Sequence, residues 1–212
     1  TLSRPDALPI WRGAMAADLP EVVVVDTCVL ISNILRRLLL RLSQQGCFRL
    51  AWSAVIGDEW RRNAGRLWDV AAAEMQAQWD ALQHDFPDAD QGDIEPFKNG
   101  LYRSDPKDWH VIAAARAARA KTPSASVAVL TRNIRDFNRS ELRGLGLTLY
   151  DPDQFLLQCW LQHTGPVLAA LACIPADLRE AGRADEPIAE ILRRERLFRL
   201  CKASAPEIGC AA

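Results

Sequence analysis

Apolar residues occur in short continuous runs at four places in the chain, and these runs predict strands. In the first run, residues 21–26, four valines stand between Glu21 and Asp26. A continuous β-branched run of this length is typical of a central parallel strand that is buried on both faces. The other runs are residues 48–52, 126–131 and 145–150. Together they predict four strands.

Between these runs, apolar residues recur every three or four positions, which is the spacing of helices with one buried face. Ser53 is a predicted helix N-cap, and Gly46 ends the first helix as a C-terminal cap. The predicted helices are residues 28–45, a segment after Ser53 that carries residues 55–60, residues 67–84 and residues 109–120. Strands that alternate with helices favour an α/β fold, with a parallel sheet covered by helices on both faces.

Two segments depart from this alternation. Residues 86–100 are acidic and interrupted by proline and glycine, which predicts a loop. After Asp151 the pattern is helical to the end of the chain. In this part, one predicted amphipathic helix carries Ile188, Ile191, Leu192 and Leu197.

The same patterns divide the chain. Residues 1–14, which precede Met15, fit poorly with the rest of the chain, and we interpret them as a leader or an upstream extension. We expect one main domain over residues 15–155 and a helical extension over residues 156–212. A length of 212 residues suits one core with an appendage.

The composition is that of a soluble globular protein. Hydrophobic residues make up 49% of the chain and charged residues 25%, which leaves little room for long disorder. No apolar run approaches the ~20 residues that a membrane-spanning helix needs. The six cysteines form no CxxC pair and no zinc-ligand spacing, so we expect reduced thiols in a cytoplasmic protein.

The net charge of −1 lacks the positive excess that is typical of nucleic-acid-binding domains. It therefore argues against a protein that coats nucleic acid passively. It does not argue against a nuclease, because an acidic metal site cancels the charge of a basic rim.

Four acidic residues fall where a parallel sheet would bring them together. Asp26 ends the first predicted strand, and Asp136 follows the third strand at the same end. Asp108 begins the helix that leads into that third strand, and Glu59 lies in the helix after the second. Ligands of open parallel sheets bind beyond the carboxyl ends of the strands. Carboxylates gathered there repel each other unless a cation neutralises them, and oxygen ligands favour Mg²⁺ or Mn²⁺.

Each acid also has a structural explanation of its own. Asp108 near a helix start complements the helix dipole, and Glu59 is placed to form ion pairs along its helix. Asp136 stands among arginines and suits a loop salt bridge. Asp26 is the hardest to explain in this way, because a carboxylate at the end of a buried strand is costly without a partner. The assignment to one site therefore depends on all four acids together.

The residues around these acids form four motifs in a fixed order. They are Val-Val-Val-Asp26-Thr27-Cys28-Val29-Leu30; Trp52-Ser53 followed by Glu59-Trp60; Asp105-Pro-Lys-Asp108-Trp-His110-Val-Ile-Ala-Ala-Ala; and Leu130-Thr131-Arg132-Asn133-Ile-Arg135-Asp136-Phe137. In this order and spacing they resemble the motifs of PIN-domain proteins, particularly VapC-type toxins, over residues 21–155. The helical tail is similar to that of a longer VapC-like subgroup.

The resemblance implies a three-layer α/β/α fold with a central parallel sheet in the order 3-2-1-4-5. It also implies a Mg²⁺- or Mn²⁺-dependent endoribonuclease, in which RNA is the substrate and a small cognate antitoxin protein is the inhibitor. A homodimer is a further expectation. The acidic site, both catalytic and metal-binding, would consist of Asp26, Glu59, Asp108 and Asp136.

Other residues of the motifs are candidates for supporting roles. We expect Thr27 and Thr131 to orient water or phosphate through their hydroxyl groups. Asn133 departs from family members that carry an acid at this point, which weakens a second metal position. Because the net charge is near zero, RNA binding would rely on local arginines that contact phosphates. The best placed are Arg61, Arg62, Arg132 and Arg135.

Alternatives stand beside this assignment. Asp105 competes with Asp108, which we prefer because it directly precedes the helix of its motif, and Asp58 is a minor rival to Glu59. His110 has no paired nucleophile, so we interpret it as a packing residue. The competing functions are a non-catalytic PIN-like module that binds RNA or protein, a metal-dependent DNase, and a phosphatase with an aspartyl nucleophile. The last class typically has a second Asp where this chain has Cys28.

Overall fold

Four parallel strands form one sheet in the computed structural model, which describes residues 18–208. The strands are β1 (Val22–Val25), β2 (Arg49–Ala51), β3 (Val127–Leu130) and β4 (Leu147–Tyr150). They lie in the order β2-β1-β3-β4, and each neighbouring pair is parallel. The expected leader, residues 1–14, lies outside the described residues, as does Cys210.

The strand predictions and the α/β class are confirmed. Each strand lies inside one of the four apolar runs, and every residue of β1 and β3 is buried. This burial explains why the two central strands are continuously apolar, because helices cover both of their faces.

The described residues form no fifth strand, although the resemblance implied one. Beside β2, a single parallel bridge joins Trp52 to Asp90. Trp52 donates its N–H to Ala89 at 2.9 Å, and Gln91 donates its N–H to Trp52 at 2.9 Å. The edge of the sheet at β2 is therefore extended by one short pairing rather than by a regular strand.

Eleven α-helices accompany the sheet in the part of the chain that the structure describes. They are α1 (Thr27–Leu30), α2 (Asn33–Gln44), α3 (Ala54–Trp68), α4 (Ala72–Asp85), α5 (Trp109–Lys121), α6 (Arg139–Gly144), α7 (Pro152–Gln162), α8 (Thr164–Ala172), α9 (Ile174–Glu180), α10 (Ile188–Arg194) and α11 (Phe198–Ser204). Three short 3-10 turns add Glu95–Lys98, Pro106–Asp108 and Ile134–Asp136. The helices α5 and α6 lead into β3 and β4.

Two predicted helices are wrong in their extent. The helix predicted over residues 28–45 is two helices, because Ser32 accepts a hydrogen bond from the N–H of Leu35 at 3.2 Å and starts α2 anew. The helix predicted to begin at Leu67 begins at Ala72 instead. Between them, Asp69 adopts a left-handed conformation with φ of 54° and ends α3. Apolar spacing continues across both breaks, so it did not reveal them.

One hydrophobic cluster runs from the sheet into the C-terminal helices. Phe155 of α7 packs edge-on against Phe48 beside β2, with ring centroids 5.0 Å apart. Asp177 of α9 is buried and forms ion pairs with Arg37 and Arg41 of α2. The helical extension is therefore joined to the sheet layer by both apolar and charged contacts. None of the described helices is long and apolar enough to cross a membrane.

Candidate active site

Asp26 lies at the carboxyl end of β1, directly beside the end of β3. Its N–H bonds to the carbonyl of Leu130 at 3.0 Å, which continues the pairing of the two strands. The residue is only 4% exposed. Oδ2 of Asp26 accepts a hydrogen bond from the Thr131 hydroxyl at 2.6 Å and another from Cys28 Sγ at 3.0 Å. Oδ1 takes no part in either bond, so the carboxylate is oriented by one oxygen only.

Thr131 and Cys28 form the support of this carboxylate. The Thr131 hydroxyl also accepts a hydrogen bond from the N–H of Asn133 at 3.0 Å. Cys28 Sγ accepts a bond from the N–H of Arg132 at 3.2 Å. Burial, and then the negative charge of Asp26, raises the pKa of the Cys28 thiol to about 12. The thiol therefore stays protonated at neutral pH and donates to Asp26.

Glu59 of α3 faces the same edge of the sheet. Its Oε2 accepts a hydrogen bond from the Thr27 hydroxyl at 3.0 Å. About a third of the Glu59 side chain is exposed. Thr27 follows Asp26 directly in the chain. Two consecutive residues therefore supply one acid of the site, Asp26, and the hydroxyl group that orients another, Glu59. By contrast, the neighbouring Asp58 is largely exposed and forms an ion pair with Arg61.

His110 lies in the first turn of α5 and is only 6% exposed. Its Nδ1 is 2.8 Å from the carbonyl oxygen of Lys107, which can only accept, so Nδ1 carries the proton. Its Nε2 lies 3.3 Å from Glu59 Oε2, but this contact lacks hydrogen-bond geometry. It is therefore a close contact and not a hydrogen bond. His110 is thus a buried neighbour of Glu59 as well as a packing residue.

Asp108 stands at the start of α5 and is half-buried. No backbone N–H of the helix bonds to its side chain, so it does not act as a cap. Burial, and then the charges of Asp26 and Asp136, raises the pKa of Asp108 to about 6. A nearby negative charge raises a carboxyl pKa because it opposes ionisation. Asp108 therefore interacts electrostatically with both Asp26 and Asp136.

Asp105 and Asp136 hold their two loops together through the backbone. The N–H of Asp105 bonds to the carbonyl of Asp136 at 2.8 Å. The side chain of Asp105 accepts a bond from the N–H of Lys107 at 3.0 Å and so closes the turn before α5. This bond engages the Asp105 carboxylate locally, whereas Asp108 carries no such bond.

A buried carboxylate that the sequence did not reveal holds the loop formed by residues 101–105. Glu141 of α6 accepts hydrogen bonds from the N–H groups of Tyr102, Arg103 and Ser104 at 2.9, 3.0 and 2.9 Å. The hydroxyl of Ser104 donates a fourth bond at 2.6 Å. Burial alone would raise the pKa of Glu141, but these four bonds outweigh it and lower the pKa. Glu141 therefore fixes the position of the loop that leads to Asp105.

The four arginines proposed to bind RNA have different surroundings. Arg61 forms an ion pair with Asp58 and lies over the ring of Trp79, with its guanidinium carbon 5.6 Å from the ring centroid. This places Arg61 on the side of α3 that packs on α4. Arg132 bonds to Glu195 at 2.6 Å. Arg62 and Arg135 are exposed.

Glu195, which follows α10, connects the C-terminal helices to the rim of the site. Its Oε2 accepts hydrogen bonds from the Ser32 hydroxyl at 2.7 Å and from Arg132 at 2.6 Å. The side chain is only 17% exposed. No sequence motif surrounds Glu195 or Glu141, so only their tertiary contacts identify them as residues that support the site.

The acids fit a divalent cation in charge and in ligand type. Among residues 18–208, no three His, Cys, Asp or Glu side chains lie close enough together to form a ready metal-binding group. The raised pKa of Asp108 nevertheless reflects, after burial, the charges of Asp26 and Asp136. A cation among these side chains would remove their repulsion, and carboxylate oxygens are the ligands that Mg²⁺ and Mn²⁺ prefer.

We predict that Thr131→Val lowers any metal-dependent activity of this site by about 10- to 100-fold, the effect typical of residues that orient a metal ligand. Valine has nearly the same shape as threonine but cannot donate to Oδ2 of Asp26, so the carboxylate loses the shorter of its two orienting bonds. The measurement is the initial rate of that activity at saturating Mn²⁺.

Thr148→Val is the matched control for this variant. Thr148 lies within β4, and its hydroxyl bonds to the carbonyl of Val127, away from the carboxyl edge, at 3.4 Å. Its rate should stay within about twofold of the unmodified chain, because surface substitutions away from special features change little. Equal rates for the two variants would contradict the orienting role of Thr131.

Comparison with known proteins gave no relative to set beside this geometry. A scan against protein-family models, a search of curated proteins and a search of solved structures each found no match.

Proposed function

We propose that this chain is a metal-dependent endoribonuclease of the PIN type that acts in the cytoplasm as the toxin of a toxin–antitoxin pair. The observation that carries the proposal is the buried carboxylate of Asp26 at the end of β1, which Thr131 and Cys28 hold through Oδ2. Burial, and then the charges of Asp26 and Asp136, raises the pKa of Asp108, so Asp108 interacts electrostatically with both acids. This interaction lies at the carboxyl edge of a parallel sheet, where ligands of such sheets bind. The ordered motifs of the sequence support the same function.

The topology of the sheet is compatible with the PIN-like order. The four strands lie in the order β2-β1-β3-β4, and Asp90 pairs with Trp52 just beyond the edge strand β2. We propose that the residues around Asp90 occupy the place of an edge strand. Counted along the chain as the third strand, they give the order 3-2-1-4-5.

The local contacts favour one set of metal ligands. Asp105 uses its carboxylate to close the turn before α5, so Asp108 is the better ligand of the two. The exposed Asp58 pairs with Arg61, so Glu59, which contacts Thr27, is preferred in the same way. The proposed ligands of the cation are Asp26, Glu59, Asp108 and Asp136.

The chain's own residues prepare this site for phosphodiester hydrolysis. The bound cation would polarise a phosphate oxygen and lower the pKa of a water molecule. Thr131 and Cys28 hold Oδ2 of Asp26 in place, and Thr27 holds Glu59. Fixed carboxylates cost no reorganisation during the reaction, which is the main source of electrostatic catalysis.

For RNA binding, the surroundings favour Arg62 and Arg135 over the other two arginines. Both are exposed, and Arg62 lies three residues after Glu59, on nearly the same face of α3. Arg61 is held by Asp58, and Arg132 by Glu195. We propose that Arg62 and Arg135 contact phosphates directly, and that Arg132 does so only by leaving Glu195.

We also propose a small antitoxin protein that places a basic side chain among the four carboxylates. The support is the resemblance to VapC-type toxins and the electrostatic cost of leaving these acids without a cation. A homodimer remains part of this proposal.

Purified protein should cleave single-stranded RNA in Mn²⁺ or Mg²⁺, and EDTA should stop the reaction. A DNA of the same sequence is the control for substrate class, and product length on a denaturing gel distinguishes internal cuts from end trimming. Full cleavage in EDTA would overturn the metal-dependent mechanism. RNA binding without cleavage in either metal would instead favour a non-catalytic PIN-like module, and preferential cleavage of the DNA would favour a DNase.

A further inference from the structure

We propose that Tyr102 is a stacking platform for one unpaired base of the RNA substrate. This inference rests on the proposed function and names the form of its substrate, a single strand with accessible bases. The side chain of Tyr102 is 71% exposed, the largest exposure among the large hydrophobic side chains of the described residues. Aromatic side chains that stack with bases are a main source of affinity for single-stranded nucleic acid.

The platform is rigid because Glu141 holds its backbone. The carboxylate of Glu141 accepts the N–H groups of Tyr102 and of the next two residues, at distances of 2.9 to 3.0 Å. Ser104, the last of these, also accepts the N–H of Asn138 at 3.0 Å through its hydroxyl. An exposed aromatic ring on a fixed backbone loses little conformational entropy when it binds. Tyr102 therefore presents its exposed ring in a fixed position.

Arg103 adds a positive charge beside the ring. Its guanidinium carbon lies 5.1 Å from the centroid of the Tyr102 ring, in a cation–π arrangement. A base and its phosphate present one flat apolar surface and one negative charge. The pair of Tyr102 and Arg103 offers the complement of both.

A short segment of chain connects the platform to the acidic site. Tyr102 is three residues before Asp105, so their Cα atoms are at most about 11 Å apart. Asp105 in turn bonds through its backbone N–H to Asp136. The ring is therefore joined to Asp136 by a short segment of chain, which is the basis for placing both on the path of one RNA strand.

A base fits this feature better than a protein partner does. Protein interfaces need a contiguous apolar centre, whereas the other exposed large hydrophobic residues of the described chain lie on other elements. They are Leu67 on α3, Leu161 on α7 and Phe198 on α11. A single ring face is enough for one base.

The test is a double-mutant cycle, in which the affinity for single-stranded RNA is measured with changes in the protein and in the RNA. Binding is measured in Ca²⁺, which suppresses turnover. Tyr102→Ala should weaken binding by about 5- to 150-fold, the range measured when a stacking aromatic is removed. Tyr102→Phe should bind within about twofold of the unmodified chain, because stacking needs the ring and not the hydroxyl. Leu67→Ala, which removes another exposed apolar side chain, on α3, is the matched control and should bind normally.

A set of RNAs with one abasic nucleotide at successive positions completes the cycle. At one position, the abasic nucleotide should weaken binding to the unmodified chain but leave binding to Tyr102→Ala unchanged. The abasic nucleotide removes the base and the substitution removes the ring, so either change alone already abolishes the same contact. Equal affinity of Tyr102→Ala and the unmodified chain would overturn the proposal. So would a loss in Tyr102→Phe as large as in Tyr102→Ala, or abasic effects that are the same in both chains.

Cleavage of the same RNA in Mn²⁺ separates this inference from the proposed function. If the affinities are as expected but the chain does not cleave the RNA, the stacking role of Tyr102 is supported and the nuclease proposal fails. If the chain cleaves but Tyr102→Ala binds normally, the platform fails and the nuclease proposal stands.

Discussion

Asp108→Asn is expected to lower the rate of Mn²⁺-dependent RNA cleavage at least about 1000-fold, which corresponds to ~4 kcal/mol of transition-state stabilisation. Asparagine has the same size as aspartate but lacks the charge that binds the cation. The side chain makes no capping bond to α5, so the helix start does not depend on it. Single-turnover cleavage at saturating Mn²⁺ measures this effect.

The same substitution should stabilise the metal-free protein at neutral pH. Burial, followed by the charges of Asp26 and Asp136, raises the folded pKa of Asp108 from 3.8 to about 6. Ionised Asp108 therefore destabilises the fold above pH 6, and this cost is lost as the pH falls through 6 towards 3.8. Since Asp108 is only half-buried, solvent screening reduces the expected gain to about 1 kcal/mol. Urea unfolding in EDTA at neutral pH should show the gain, and unfolding below the ordinary pKa of aspartate should not.

Asp105→Asn is the matched control for both measurements. It lies three residues before Asp108, and the asparagine side chain still accepts the N–H of Lys107 through its carbonyl oxygen. We expect its cleavage rate to stay within about tenfold of the unmodified chain, because the Asp105 side chain bonds to the N–H of Lys107 and not to a proposed metal ligand. A larger loss in Asp105→Asn than in Asp108→Asn would assign the metal ligand to Asp105.

Glu141→Gln is expected to destabilise the protein by about 2–4 kcal/mol at neutral pH, because charged acceptors make the strongest hydrogen bonds and their loss leaves buried donors unpaired. The amide keeps one acceptor oxygen where the carboxylate offers two. Three backbone N–H groups and one hydroxyl depend on these oxygens. The loop formed by residues 101–105 should therefore loosen, and RNA affinity should fall together with stability.

The effect of Glu141 has a defined pH dependence. Burial opposes ionisation, but the bonds from Ser104 and from the backbone N–H groups lower the folded pKa below its ordinary value of 4.5. The carboxylate therefore stabilises the fold above that value, and the stabilisation is lost as the pH falls through the folded pKa. The gap in unfolding free energy between Glu141→Gln and the unmodified chain should narrow in acid.

Glu190→Gln is the control for the loss of a glutamate charge. Glu190 forms an exposed ion pair with Arg193 on α10, and such pairs contribute at most about 1 kcal/mol. The two glutamine variants should thus differ clearly in urea unfolding at neutral pH. Equal stability of Glu141→Gln and Glu190→Gln would show that the four bonds to Glu141 are not a major support of the fold.

The sequence predicted the sheet well because its central strands are buried on both faces. The four valines of β1 and the apolar run of β3 are short and continuously apolar, so they differ from the spacing of three or four positions that an amphipathic helix shows. The helices were less predictable at their ends. Ser32 and Asp69 break helices by local backbone chemistry, a hydroxyl cap in one case and a left-handed residue in the other, while apolar spacing continues on both sides.

The candidate site was predictable only where its residues follow strands or start helices. Asp26 and Thr131 end neighbouring strands, so parallel pairing alone brings them together. Glu141 and Glu195 act at a distance in the sequence: Glu195 bonds to Ser32 across 163 residues. A single sequence contains no periodicity that relates such positions, and their importance follows from tertiary contacts.

Calorimetric titration of Mn²⁺ into the metal-free protein tests the central claim most directly, because it measures the cation site without depending on a substrate. We expect saturable binding by the unmodified chain and by Asp105→Asn, and at least about tenfold weaker binding by Asp26→Asn and Asp108→Asn. Absence of saturable binding, or equal affinity in all four proteins, would contradict the assignment of these carboxylates to a divalent-cation site.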